Sequence, residues 1–200
     1  ILCVGPSGVG KSSLAMQFSV ILAIGKPMWG IRPVRPLKTL FVQAENDQGD
    51  LAEMYQGVET GLSIFPGTDE SRLLNKNLVF VRNTTHTGQS LTVALARLID
   101  KHHPDIVMLD PLLSFIGADI SKQDVCGMFL RNWLGPIAET TGVAWWFWHH
   151  TGKPPKLNGK DQGVSSMTDL AYAGMGSSEL TNWARAVMTL RPLGQGTGDF

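Results

Sequence analysis

A chain of 200 residues with 17 basic against 17 acidic side chains and 43% hydrophobic residues has the composition of one globular domain, which excludes a disordered or collagen-like chain. At this size about 70% of the unfolded surface can be buried, so the core needs neither disulfides nor structural zinc, and two isolated cysteines, Cys3 and Cys126, fit a reducing, cytoplasmic setting. A formal net charge of zero argues against a constitutively tight nucleic-acid binder, although a local basic loop can still meet phosphates.

No apolar run approaches the roughly 20 residues that span a bilayer. The chain starts at Ile1 without an initiator methionine and ends in the Gly-rich stretch Gly194 to Gly198, so residues 1–200 are expected to be a single core taken from a longer protein.

Ile1 to Val4 is a short apolar run closed by Gly5, and Ser12 to Ile24 is apolar on nearly every face before Gly25 and Pro27 stop it; this predicts a buried strand, a tight loop and a buried helix. Thr39 to Ala44 predicts a strand, Asp50 to Gly61 a helix and Leu78 to Arg82 another strand. Leu91, Leu95, Leu98 and Ile99 lie at helical spacing before Pro104, and Ile106 to Leu109 is a four-residue apolar run. Val125, Phe129, Leu130, Leu134, Ile137 and Ala138 form one helical stripe over Gln123 to Thr141, followed by a strand at Val143 to Trp148. A helix at Ser177 to Ala184 and a strand at Ala186 to Leu190 complete the alternation. Near-continuous apolar strands separated by helices predict a mostly parallel sheet covered on both faces, with ligands at the carboxyl ends of the strands. Two long loops, Lys26 to Lys38 and Thr151 to Gly176, have the length of functional or mobile segments.

Gly5-Pro6-Ser7-Gly8-Val9-Gly10-Lys11-Ser12 satisfies G-x-x-x-x-G-K-[ST] between a predicted strand and a predicted helix. Glycines let the backbone wrap phosphate oxygens with its amides inward, and the helix adds the positive end of its dipole. Gly5 to Ser13 are therefore the expected ATP-binding residues. Lys11 is expected to bridge the β- and γ-phosphates, and Ser12 to ligate Mg²⁺.

Three further strand ends carry polar groups. Asp110 closes Ile106-Val107-Met108-Leu109, the pattern of a Walker B acid that holds Mg²⁺ through its water shell; an Asp opening a turn before Pro111 is the plainer alternative. Glu45 follows Leu40 to Ala44, where a carboxylate can polarise the attacking water or simply cap a helix or face solvent. His149 and His150 follow Trp145 to Trp148, a position suited to local hydrogen bonding or to contact with a γ-phosphate.

Taken together, Gly5 to Ser13, Gln43-Ala44-Glu45-Asn46, Met108 to Leu112, Trp148 to Lys153 and Gly176 to Ala186 resemble the RecA-like ATPases, within them the hexameric replicative helicases that include the plasmid RepA helicases and AAA-family relatives. The resemblance implies an α/β fold, a three-layer αβα sandwich with a mostly parallel central sheet, and ATP hydrolysis at the subunit interfaces of a ring. It assigns Glu45 as catalytic glutamate, Asp110 as Walker B acid and His149 and His150 as sensors. Arg185 becomes a candidate to reach a neighbour's γ-phosphate, against the ordinary reading of a surface or helix-capping arginine. Two departures stand out: Met175 sits where family members often carry an arginine, and Pro111 follows Asp110 where helicases often show a second acid.

Loops facing the channel of such rings carry nucleic-acid contacts. The matching segments are Leu112 to Asp124 and Thr151 to Gly176, the latter with Lys153, Lys156 and Lys160, which contact single-stranded DNA or merely keep a loop soluble. The expected function is a nucleic-acid-dependent ATPase motor, with a regulatory ATPase that controls a protein partner as the alternative. A small-substrate kinase is disfavoured because no Arg-rich lid follows the core.

Overall fold

The computed structural model describes residues 1–119, 122–151, 156–157, 160–161 and 178–191. The path begins with β1 (Leu2–Gly5), α1 (Lys11–Ile24), β2 (Thr39–Gln43), α2 (Gln48–Gly61), α3 (Asp69–Asn77) and β3 (Leu78–Arg82). It continues through α4 (Gly88–His102), β4 (Ile106–Asp110), the single turn α5 (Leu113–Ile116), α6 (Gln123–Gly127), a π-helical stretch (Met128–Leu134), α7 (Gly135–Thr141) and β5 (Ala144–His150). Two two-residue strands, β6 (Lys156–Leu157) and β7 (Lys160–Asp161), pair antiparallel before α8 (Ser178–Trp183) and β8 (Val187–Thr189).

The central sheet has the order β3-β2-β4-β5-β1-β8, and its pairs are parallel throughout. Side chains alternate across it, as a pleated strand requires. Cys3, Phe41, Met108, Trp146 and Trp148 pack on one face against α1 and α2, with Leu74 of α3 joining Val20, Ala23 and Ile24 of α1. Leu2, Val4, Leu40, Val42, Val107, Leu109, Trp145 and Phe147 pack on the other against α4, α5, the 123–141 helical run and α8. Both faces are thus covered, which explains why the strands read as unbroken apolar runs. Each fully buried Leu or Phe in such a layer contributes roughly 1.5–3 kcal/mol. The architecture is the expected αβα sandwich of a RecA-like P-loop NTPase, and among the described residues its six-stranded sheet carries no antiparallel edge.

Two elements differ from expectation. Residues 69–77 form a helix that periodicity did not predict; Thr68 caps it, its hydroxyl accepting from Ser71 N–H, and little but Leu74 is apolar and buried. The 123–141 run is helical throughout but widens into a π turn where Gly135 N–H donates to Leu130 O, five residues back. Pro136, at the start of α7, has no N–H to give and crowds the carbonyl four residues before it, which favours a wider turn at this place. Among the described residues no helix is long and apolar enough to cross a membrane.

Candidate active site

β1, β2, β4 and β5 end at one edge of the sheet, with Gly5 opposite His150 and Gln43 opposite Asp110. β5 lies between the strand that opens the phosphate loop and the strand that ends in Asp110. The two histidines therefore reach the edge beside the loop itself.

Residues 5–13 leave β1, turn through Gly10 at φ 88° and enter α1. That left-handed conformation is open to glycine at little cost and strained for other residues. Lys11 is 5% exposed, and its Nζ donates to Gly5 O at 2.9 Å and Pro6 O at 2.7 Å, folding the ammonium back into the loop's own concavity. Burial pulls its pKa down, while Asp110 and Glu45 oppose that shift. Ser13 is exposed on the first turn of α1, and its hydroxyl donates to Met54 Sδ at 3.6 Å.

Asp110 is 1% exposed. Burial raises its carboxyl to about 6 against hydrogen bonds with Ser12 and Gln43 that work the other way, and its Oδ2 has no hydrogen-bond partner. A buried carboxylate oxygen left unmatched beside a serine hydroxyl is costly by itself; it is the kind of acceptor that a hydrated divalent cation satisfies. Ser12 and Asp110 thus fit Mg²⁺, which binds through one or two protein oxygens while keeping waters and taking phosphate oxygens. Among the described residues no group of three or more His, Cys, Asp or Glu could hold a metal, and Mg²⁺ held in this way needs none.

Glu45 stands past the end of β2 with its side chain half exposed. Its Oε1 accepts from Ser114 Oγ at 3.1 Å, and its Oε2 lies 3.8 Å from His150 Nε2. Burial and then Lys11 depress the His150 pKa below 6.5, so at neutral pH the ring is neutral and this contact is not an ion pair. His149 is fully buried. Behind Glu45 the chain is clamped: Gln43 Nε2 donates to Asn46 Oδ1 at 3.1 Å, Asn46 N–H donates to Gln43 Oε1 at 2.9 Å, and Arg82 Nε donates to Asn46 O at 2.9 Å.

The structure therefore gathers Lys11, Ser12, Glu45, Asp110 and His150 at one edge. Arg185 is elsewhere. It precedes β8, whose Val187 pairs with Leu2 at the start of β1, so it lies exposed at the opposite edge of the sheet, beside a recess of about 740 Å³ lined by Trp145, Trp146 and Trp183. Lys153 lies outside the described residues, as do the side chains of Lys156 and Lys160. Gln43 and Ser114 are the polar contacts that sequence reasoning missed. Gln43 closes an otherwise apolar strand, which is a usable sign; a serine four residues after a Walker B acid is none.

The pattern of the AAA domain family matches residues 1–156. That span runs from β1 to the start of β6 and holds every residue gathered at the edge, while Arg185 falls beyond it. No curated protein matches the chain.

Proposed function

The chain belongs to the AAA domain family of P-loop ATPases, and on that premise we propose that it hydrolyses ATP to ADP and phosphate in a nucleic-acid-dependent manner, as the core of a ring-forming replicative DNA helicase of plasmid or phage type. One observation carries the hydrolytic half: Glu45, half exposed and anchored by Ser114, shares an edge with the buried pair of Lys11 and Asp110.

On this reading the triphosphate takes the place of the carbonyls that Lys11 now holds, and its oxygens meet the inward amides of residues 5–13. Mg²⁺, when bound beside Ser12 and Asp110, neutralises charge on the β- and γ-phosphates. Glu45 accepts a proton from the water that attacks the γ-phosphorus, and the bond from that phosphorus to the ADP oxygen breaks. On this reading His150, in register with Gly5, contacts the γ-phosphate and transmits its presence through Thr151, whose N–H donates to Gly5 O at 3.0 Å. Arg185 cannot serve the nucleotide of its own chain from the far edge; it acts, if the ring forms, on that of the next subunit.

The nucleic-acid half rests on the resemblance of the chain and on the lysines of 153–160. The test is the steady-state ATPase rate of the full-length protein with and without single-stranded DNA at several salt concentrations, with Glu45→Gln alongside. Large stimulation that fades with salt supports a motor that tracks phosphates. Hydrolysis indifferent to DNA assigns the protein instead to regulatory ATPases that act on a protein partner.

A further inference from the structure

Glu45 sits on a solvent-facing turn, and a half-exposed glutamate without an anchor samples several rotamers. The backbone clamp made by Gln43, Asn46 and Arg82 fixes where its Cα stands but not where its carboxylate points. Only Oε1 has a hydroxyl donor, Ser114 Oγ at 3.1 Å. Ser114 is itself held firmly: its turn, α5, is nailed into the core by Leu112, Phe115 and Ile116, each 2% exposed or less. Leu112 N–H donates to Trp148 O at 2.7 Å, tying the start of this turn to β5. The turn stops at Gly117, where φ is 73° and a Cβ would meet Thr87 Oγ1 at 2.6 Å.

We propose that Ser114 is a positioning residue for hydrolysis, which orients the Glu45 carboxylate by binding Oε1 and leaves Oε2 turned toward His150 and the phosphate loop as the oxygen that takes the proton. This rests on the reading of Glu45 as general base and adds the residue that aims it. Because Ser114 lies within α5, any contact that shifts this turn shifts the base with it.

The experiment compares Ser114→Ala, Ser114→Thr, Glu45→Gln and the double variant Ser114→Ala/Glu45→Gln in the full-length protein. It measures kcat over pH at saturating ATP and Mg²⁺, and affinity for a fluorescent ATP analogue. A base left to wander out of attack geometry loses about tenfold or more in rate. Ser114→Ala is expected to lower kcat by about tenfold with analogue affinity within twofold of wild type. Ser114→Thr, which keeps the hydroxyl, restores the rate. In the Glu45→Gln background the alanine adds nothing further. A normal rate in Ser114→Ala overturns the proposal, as does a loss shared equally by kcat and affinity, or by the threonine variant. An active Glu45→Gln protein overturns the general-base reading instead, so the two failures are separate.

Discussion

Gln43 and Asp110 face each other across the last rung of the β2–β4 ladder, where the Gln43 side chain works against burial to lower the Asp110 pKa. Gln43 also bonds Asn46 by both its amide oxygen and nitrogen. One fully buried amide therefore links the acid suited to Mg²⁺ with the turn that carries Glu45. Gln43→Leu is expected to keep the fold but cost roughly 1–3 kcal/mol for the partners left unmatched, and to lower kcat more than tenfold by freeing both acids. Thermal melts and turnover of the same preparation check this. Turnover within twofold of wild type at the lowered stability would leave Gln43 a structural residue only.

Lys11 and Glu45 separate binding from chemistry. Lys11→Ala is expected to weaken ATP binding at least about 100-fold, since a charge-assisted contact to phosphate disappears. Glu45→Gln keeps binding but loses about 10²–10⁴-fold in turnover. Equilibrium titration with a fluorescent analogue, beside phosphate release under single-turnover conditions, reads the two effects independently.

Asp105 offers a pH test remote from the site. Arg35 Nη1 and Nη2 donate to its carboxylate at 2.8 and 2.6 Å, and Lys38 N–H adds 2.7 Å. The Arg35 hydrogen bond, against opposing burial, holds its pKa below the ordinary 3.8. With the folded pKa below the unfolded one, the unfolded chain binds more protons between them, so the stabilisation is complete above about pH 5 and is lost as pH falls through the folded value. Asp105→Asn is therefore expected to lower Tm at pH 7, with the gap to wild type closing as pH falls below about 4. A gap that persists unchanged into acid would show that the ion pair is not its source.

Arg185 is expected to matter only between subunits. Arg185→Ala should leave ATP affinity intact and lower turnover about 10³-fold in the assembled state, as loss of a charge-stabilising arginine does. Mixing Arg185→Ala with Glu45→Gln, each inactive alone, then restores activity at interfaces where an intact Glu45 meets an intact Arg185. Mixed assemblies as inactive as their parents would remove the arginine from the reaction.

The strands were legible because both faces of the sheet are covered, which forces runs such as Ile106 to Leu109 to be apolar at every position. The phosphate loop was legible because few sequences other than a phosphate cradle place glycines and a lysine at that spacing between strand and helix. The helix at 69–77 was hidden because Asp69, Glu70, Arg72, Asn75 and Lys76 leave almost no apolar stripe to read. Strand order was also hidden: nothing local in Trp145 to His150 says that this strand slips between β1 and β4, yet that placement brings His150 beside Gly5. Ser114 escaped notice for a different reason, since a hydroxyl acts here through a contact 69 residues away in the chain.

Two tryptophans of β5 point to the same face of the sheet. Trp146 and Trp148 stack with ring centroids 5.7 Å apart and an interplanar angle of 6°, and Trp148 directly precedes His149. Indoles held that close on a chiral backbone couple optically, so the strand that runs beside the phosphate loop carries its own chromophore. Circular dichroism in the indole bands is therefore expected to change on titration with ATP, without any label, if the phosphate loop beside this strand takes up the nucleotide.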